Sequence, residues 1–268
     1  HRQDEYYLSA TALYRPWNTL SLSLAQDGAI NKLHSNLPDC PFPTRYTSLT
    51  AFNARYRQGM VTATGSLIYT NISERVKVGD APADFQRLAP SFTVSLQPWQ
   101  EQLFFLRLMY KSTFRTPTFN DLYYYRLGNR SLRPEKANEY NIGITWSKPF
   151  LSFLNYFSVT IDGYYNDVTD KIVAFPTTYA WKMANYGKVR ATGVDATFAA
   201  ATSLSKNITL VISGGYTFQK AIDLTDPTSK SYKDQLPYTP EHSGNVSAIL
   251  EMPWVNVGYS IVGVSERY

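Results

Sequence analysis

The sequence predicts an all-β chain that forms part of a transmembrane antiparallel β-barrel. Three observations support this prediction: about twelve segments alternate apolar and polar residues, short and long connections alternate between them, and a Pro-Trp pair recurs in the short connections. All three are typical of membrane barrels. No linker or low-complexity stretch divides the chain, so we expect one partial barrel domain over residues 1–268.

The predicted strands are recognised by a period of two. The clearest segments, in chain order, are residues 19–24, 91–96, 157–162, 208–213 and 245–251. Many segments reach the roughly nine to eleven residues that a tilted strand needs to cross a bilayer. Leucine, valine, isoleucine and phenylalanine form the face expected to contact lipid, and serine, threonine, asparagine and glycine form the face expected to line a wet lumen. A soluble barrel gives the same alternation. The length of the strands and the Pro-Trp turns therefore favour a membrane barrel over a soluble one.

The recurring turns contain Pro16-Trp17, Pro98-Trp99 and Pro253-Trp254, with Pro149-Phe150 as a looser copy. Proline ends strand pairing because it has no N–H to donate. Tryptophan favours the membrane boundary, where its ring is buried and its indole N–H remains hydrated. We therefore expect all four turns on one side of a bilayer.

The connections between the predicted strands alternate in length. Short ones are predicted near residues 15–18, 57–60, 98–101, 148–154, 202–207 and 252–254, and long ones near residues 27–44, 71–90, 114–135, 174–188 and 220–239. Outer-membrane barrels have short periplasmic turns and long outward loops. On this count the chain starts and finishes on the outer side, whereas bacterial barrels begin and end on the periplasmic side. We therefore expect further strands before His1 and after Tyr268.

Composition and charge exclude several classes of protein and several kinds of site. Mean hydropathy is −0.29 and no apolar run approaches the roughly 20 residues of a membrane helix. The net charge of +5 is spread over the loops without a basic cluster, so we expect no nucleic-acid partner. Cys40 is the single cysteine, and its spacing from His34 matches no zinc pattern, so a solvated loop is favoured over a metal site. No motif for catalysis or a cofactor emerges, and we expect no enzyme.

The segment from residue 107 to 146 carries a family resemblance. Its first anchor is Phe114-Arg115-Thr116-Pro117 running on through Leu122 to Tyr123. Its second is Gly128-Asn129 followed by Leu132-Arg133-Pro134-Glu135, with Glu139 and Gly143 in the returning strand. Two later motifs are Asn185-Tyr186-Gly187 leading to Gly193-Val194-Asp195, and the run from Tyr238 to His242. In this order they resemble the TonB-dependent outer-membrane receptors, over roughly residues 100–268, although Asp195 replaces the usual glutamate.

The resemblance implies a barrel of about 22 strands, of which this chain holds the middle to late ones, with the N-terminal plug absent. It implies a bacterial outer-membrane receptor that imports a scarce metal chelate: cobalamin, a ferric siderophore or haem. The partners it implies are this ligand, outer-membrane lipid and TonB, which would bind the missing N-terminal part. A surface lipoprotein partner is left open. Cobalamin ranks first because the loops are aromatic and lack a basic cluster. A passive porin and a soluble β-sandwich ligand-binding module are the alternatives.

The candidate site residues are charged residues and prolines that shape the long loop, and aromatic residues that could contact a ligand. Arg115, Arg133 and Glu135 are expected to form ion pairs that hold the long loop against the strand ends, since an arginine fork suits carboxylates. Pro117 and Pro134 are expected to set the entry and exit of the same loop. The candidate ligand contacts are loop aromatics, which offer a large contact area to a flat ligand or belong to an outer aromatic girdle: Tyr123, Tyr124, Tyr125, Tyr179 and Trp181.

Overall fold

The computed structural model of the chain describes residues 2–36, 40–99, 103–149, 154–176, 181–237 and 239–266. Within these residues it has twelve strands and one short helix, which confirms the predicted strand number. The elements are β1 (Arg2–Trp17), β2 (Leu20–His34), β3 (Thr44–Gln58), β4 (Val61–Arg75), β5 (Phe85–Leu96), β6 (Leu103–Arg115), α1 (Phe119–Tyr123), β7 (Glu135–Pro149), β8 (Leu154–Pro176), β9 (Trp181–Ser205), β10 (Ile208–Asp223), β11 (His242–Glu251) and β12 (Asn256–Val264). In the described part of the chain, no helix is long and apolar enough to cross a membrane.

The strands form a single sheet in which each strand pairs antiparallel with the next along the chain. The strands range from 9 to 25 residues. Nine residues already suffice for a tilted strand to cross the hydrocarbon layer. A single up-and-down sheet of twelve strands does not fit the β-sandwich alternative, which requires two packed sheets.

The register separates an apolar face from a polar face. Leu106, Ile144 and Ile161 lie opposite one another on β6, β7 and β8, and define the apolar face. The next residues along, Arg107, Gly143 and Asp162, define the polar face, where Arg107 and Asp162 form an ion pair of 3.0 Å. This arrangement confirms the predicted alternation, because residues paired across a ladder share a face.

The short connections lie at one end of the sheet and the long ones at the other. The long connections span residues 35–43, 76–84, 116–134 and 224–241. The long loop predicted near residues 174–188 is wrong, because β8 and β9 continue to Pro176 and from Trp181 as a paired hairpin. Val173 pairs with Ala184 in this hairpin. Pairing of this kind gives backbone N–H and C=O groups a partner in the sheet, whereas in a loop they would bond to water.

Aromatic side chains mark both ends of the apolar face. The tryptophans of the three Pro-Trp turns are exposed, with Trp254 at 82%, while Phe150 of the fourth lies outside the described residues. At the opposite end Tyr110, Tyr140 and Tyr165 lie side by side in register, with ring centroids 5.1 and 6.1 Å apart. Two such girdles are typical of a membrane-spanning β-sheet.

Candidate functional site

The loop between β6 and β7, residues 116–134, begins with a capped helix. The Thr118 hydroxyl accepts a hydrogen bond from the Asp121 N–H at 3.2 Å, and the Asp121 carboxylate accepts one from the Thr118 N–H at 2.8 Å. This reciprocal pair is a capping box, which satisfies two backbone donors that a helix start leaves free. The helix ends at Tyr123 because Tyr124 adopts an extended backbone.

The helix buries one side against the neighbouring strands. Leu122 is only 3% exposed and packs in one cluster with Leu132 and with Ile172 of β8. Met183 of β9 packs against this cluster. Gly128 allows the loop to close, because a Cβ atom there would lie 2.6 Å from the Leu122 carbonyl oxygen. The loop therefore folds over the polar face instead of extending away from it.

A charged clamp, formed by Arg45 of β3 and Glu74 of β4, fixes the start of the loop. The two side chains are 13% and 5% exposed, and the Arg45 Nε lies 2.7 Å from a Glu74 carboxylate oxygen. The other end of the guanidinium donates to the Pro117 carbonyl at 2.8 Å and lies over the Phe119 ring, 4.9 Å from its centroid. Arginine's planar fork makes all three contacts at once.

Tyr123 completes this clamp. Its hydroxyl donates to the second carboxylate oxygen of Glu74. Burial raises the pKa of the Tyr123 phenol far above its ordinary value, and the neighbouring Glu74 carboxylate raises it further. The phenol thus stays protonated and available as a donor, while the Arg130 guanidinium lies over its ring, 5.5 Å from the centroid.

A second group of ion pairs lies at the end of β6 that is nearest the long loops. The Arg115 guanidinium lies 3.4 Å from Asp121 and 3.4 Å from Glu135, and it also donates to the Ile172 carbonyl at 3.3 Å. The Glu135 carboxylate in turn accepts from the Ile172 N–H at 3.2 Å. This group joins both ends of the loop to β8.

Arg133 has a different partner from the one that the sequence suggests. Its guanidinium contacts Asp170 of β8 at 2.5 Å, a residue that sequence reasoning missed. The amide of Asn185 on β9 accepts from the Arg133 N–H at 2.8 Å and donates to the carbonyls of Arg133 and Asp170 at 2.8 and 2.7 Å. The Asn185-Tyr186-Gly187 motif marks this position in the sequence, but it does not reveal the partner.

An open cleft of about 210 Å³ lies between this loop and residues 82–85. Its charged lining consists of Arg45, Glu74, Asp84, Arg130 and Arg133. Leu122, Leu132 and three prolines provide apolar wall around these groups. The cleft thus combines charge and apolar contact at the long-loop end of the sheet.

The candidate aromatics do not all face the same surroundings. Tyr124, Tyr125 and Trp181 are 50%, 39% and 58% exposed at the long-loop end, so part of each ring can meet a ligand. The Arg126 guanidinium lies over the Tyr125 ring, 5.1 Å from its centroid. Tyr123 instead turns inward to Glu74. Tyr179 lies outside the described residues.

The remaining candidate residues line the cleft or pack between strands of the barrel. Pro117 and Pro134 both line the cleft at the two ends of the loop. Phe114 packs against Phe85, with ring centroids 5.1 Å apart. Gly193 lies in β9, where a Cβ atom would collide with the backbone of the neighbouring strand. Within the described residues, no three histidine, cysteine, aspartate or glutamate side chains are grouped to hold a metal ion.

Residues 6–268 match the family model described as TonB dependent receptor-like, beta-barrel. The chain belongs to this family. An 84-residue segment is 33% identical to the vitamin B12 transporter BtuB of Vibrio vulnificus strain YJ016, covering 31% of this chain and 13% of that protein. The chain is therefore part of a bacterial outer-membrane β-barrel, with its apolar face toward lipid and its long loops outward.

Two solved structures show the same fold at low identity. The copper transporter OprC superposes with a TM-score of 0.75 and 13% identity, over 98% of this chain and 43% of OprC. The siderophore receptor PirA from Pseudomonas aeruginosa superposes with a TM-score of 0.69 and 16% identity, over 97% of this chain and 46% of PirA. The chain thus spans less than half the length of these relatives.

Proposed function

We propose that the protein containing this chain imports a metal-chelate nutrient across the outer membrane, with energy delivered through TonB. The observation that carries this proposal is the family match over residues 6–268. The proposal assigns the plug and the contact with TonB to parts of the protein outside this chain.

Cobalamin is the ligand that we place first. The local identity to a vitamin B12 transporter supports this choice, and so do the exposed aromatics of the outward loops. A corrin ring is broad and flat, and aromatic side chains give such a surface a large contact area at a small entropic cost. A ferric siderophore or haem is the second candidate.

In this proposal the charged clamp of Arg45 and Glu74 positions the aromatic side chains that bind the ligand. Arg45 and Glu74 fix the start of α1, so that the residues directly after the helix, Tyr124 and Tyr125, are presented at a defined height above the barrel. Tyr123 serves as part of the wall through its bond to Glu74. Trp181 is exposed at the same long-loop end of the sheet, at the start of β9.

Uptake by cells that lack the full-length gene tests the ligand. We expect uptake of radiolabelled cobalamin to be lost in the deletion strain and restored by the wild-type gene. If cobalamin uptake is unchanged and uptake of a ferric siderophore or haem is lost, the ligand assignment is wrong and import of a metal chelate stands. If uptake persists without TonB, a passive porin explains the barrel better.

Substitution of the aromatics tests the site. We expect the double variant Tyr124→Ala and Tyr125→Ala to weaken cobalamin binding roughly tenfold, since each stacked aromatic contributes about 0.5 to 1.5 kcal/mol. Trp254→Ala removes an exposed aromatic at the opposite end of the barrel and is the matched control. Equal binding by the double variant and the wild type, at equal receptor abundance, would remove these two residues from the site.

A further inference from the structure

Four cationic side chains, which we call the basic patch, lie on the apolar face near its long-loop end: Lys136, Lys188, Arg190 and Lys220. Lys136 and Lys188 both lie opposite Thr169 of β8, one on each side. Because neighbouring strands are about 4.8 Å apart, the two backbones are about 10 Å apart. The register therefore gathers cations from three strands, β7, β9 and β10, into one area.

The depth of the basic patch in the membrane follows from its position relative to the outer tyrosine girdle, which is the row of Tyr110, Tyr140 and Tyr165. Tyr140, Tyr165, Thr192 and Lys220 follow one another across β7 to β10 in a single row. The other three cations lie one or two steps farther from the membrane centre on the same face. Since tyrosines mark the boundary between hydrocarbon and headgroups, the patch lies at headgroup depth.

The charge of the patch is only partly balanced by the protein. Arg190 pairs with Asp167 at 3.0 Å and lies over the Tyr165 ring. Among the residues that the structure describes, the ammonium groups of the other three members form no ion pair: Lys136, Lys188 and Lys220. Three positive charges thus face the outer leaflet without an internal counterion.

An apolar depression of about 440 Å³ lies on the same face, closer to the membrane centre than Lys220. Its side walls include Ile161, Phe198 and Val246. Gly244 and Gly263 form part of its lining, and the lack of side chains there leaves the surface recessed. Tyr216 also lines it, four residues from Lys220 along β10, a distance of about 13 Å.

We propose that this surface binds an outer-leaflet lipid that carries phosphate groups. The basic patch holds the phosphates, and the depression receives an acyl chain. Lysine suits this task because its stem lies along apolar surface while its ammonium group reaches the headgroups. Each cation near an anionic lipid surface contributes about 1 kcal/mol, and a charge-assisted bond to phosphate is stronger than a neutral one.

Lipid retention by the full-length receptor tests this proposal. The receptor is placed in phosphatidylcholine nanodiscs that contain diphosphoryl lipid A, and retained lipid is counted by native mass spectrometry after transfer to detergent. We expect the triple variant K136Q/K188Q/K220Q to bind lipid A roughly a hundredfold more weakly than the wild type. Lys32→Gln, on the same face but over the Tyr6 ring, and Lys206→Gln, in the opposite turn, are expected to bind normally.

A variant of the depression separates a lipid from free phosphate. At Gly263 a Cβ atom would meet nothing within 4 Å, so Gly263→Leu fills the depression without a backbone collision. We expect this variant to lose lipid A retention at least several-fold. Unchanged retention in the triple variant, or an equal loss in the Lys206→Gln control, would overturn the proposal. Displacement of lipid A by an equal concentration of inorganic phosphate would also overturn it, because the acyl chain would then contribute nothing.

Discussion

Two outward loops of this barrel are held in different ways. The loop of residues 116–134 is fixed by side chains of the barrel wall, through the Arg45 clamp, the Arg115 group and the Arg133 pair. The loop of residues 224–241 is fixed mainly by bonds to the end of its own strand: the Lys233 N–H donates to the Asp223 carbonyl at 2.7 Å, and the Leu236 N–H to the Ala221 carbonyl at 2.8 Å. Within the described residues, no ion pair joins this second loop to the barrel.

The difference shows how a barrel makes one loop part of its wall and leaves another dependent on local turns. A partly buried ion pair fixes geometry strongly because removal of one partner leaves the other desolvated. Turns closed by serine, threonine and aspartate are worth less and compete with water. We therefore expect the first loop to respond to distant substitutions on β3 and β4. The second loop should respond mainly to substitutions within itself and at the ends of β9 and β10, to which its backbone is bonded.

The largest effect is expected for Arg45→Met. Removal of one partner from a buried ion pair costs about 3 to 5 kcal/mol, and here it leaves the Glu74 carboxylate without its cation. We expect amide hydrogen exchange of residues 116–134 in the full-length receptor to rise steeply, while residues 224–241 exchange as in the wild type.

Arg57→Met is the matched control for this experiment. Arg57 lies on the same strand at the short-turn end and is exposed, so its removal should change neither loop. If Arg45→Met accelerates exchange in both loops equally, the clamp acts on the whole barrel and the contrast between the loops is wrong.

Gly128→Ala is expected to have the next largest effect. Its new methyl group would lie 2.6 Å from the Leu122 carbonyl oxygen, and forced overpacking costs about 1 to 3 kcal/mol. The loop should loosen around α1, visible as faster cleavage by a protease between residues 119 and 132. Gly28→Ala, at a strand position with nothing within 4 Å, should leave cleavage unchanged.

The sequence predicts the membrane architecture much better than it predicts the ion pairs that hold the loop of residues 116–134. Alternation along one strand identifies its apolar and polar faces without any knowledge of its neighbours. The Arg45–Glu74 pair depends on the register of β3 against β4 and on a loop that returns from residue 117, and neither is visible in a local pattern. The motif did mark Arg115 and Glu135. Asp170 escaped notice because it is one of three aspartates in β8, and no local pattern distinguishes it from the other two.

Tyr123→Phe is expected to have a smaller effect than the two variants above. It removes the hydroxyl donor from Glu74 and keeps the ring that lies beneath Arg130, so the loss is about 1 to 2 kcal/mol. Hydrogen exchange of α1 should rise modestly. Tyr124→Phe is the control, and an equal rise in both variants would show that the Glu74 bond does not distinguish Tyr123 from its exposed neighbour.

The smallest effect concerns the pH response of the second loop. The Thr228 hydroxyl and N–H both donate to the Asp226 carboxylate, at 2.7 and 2.8 Å, and these bonds lower the pKa of Asp226 below its ordinary value. A carboxylate with a lowered pKa in the folded loop stabilises its turn above the ordinary value, and this contribution is lost as the pH falls through the folded value. Thr228→Ala should therefore shift the acid opening of residues 226–229 to higher pH, measured as the ratio of variant to wild-type hydrogen exchange at each pH. Residues 116–134 should show a ratio of one throughout, and a matching shift there would mean that the two loops open together.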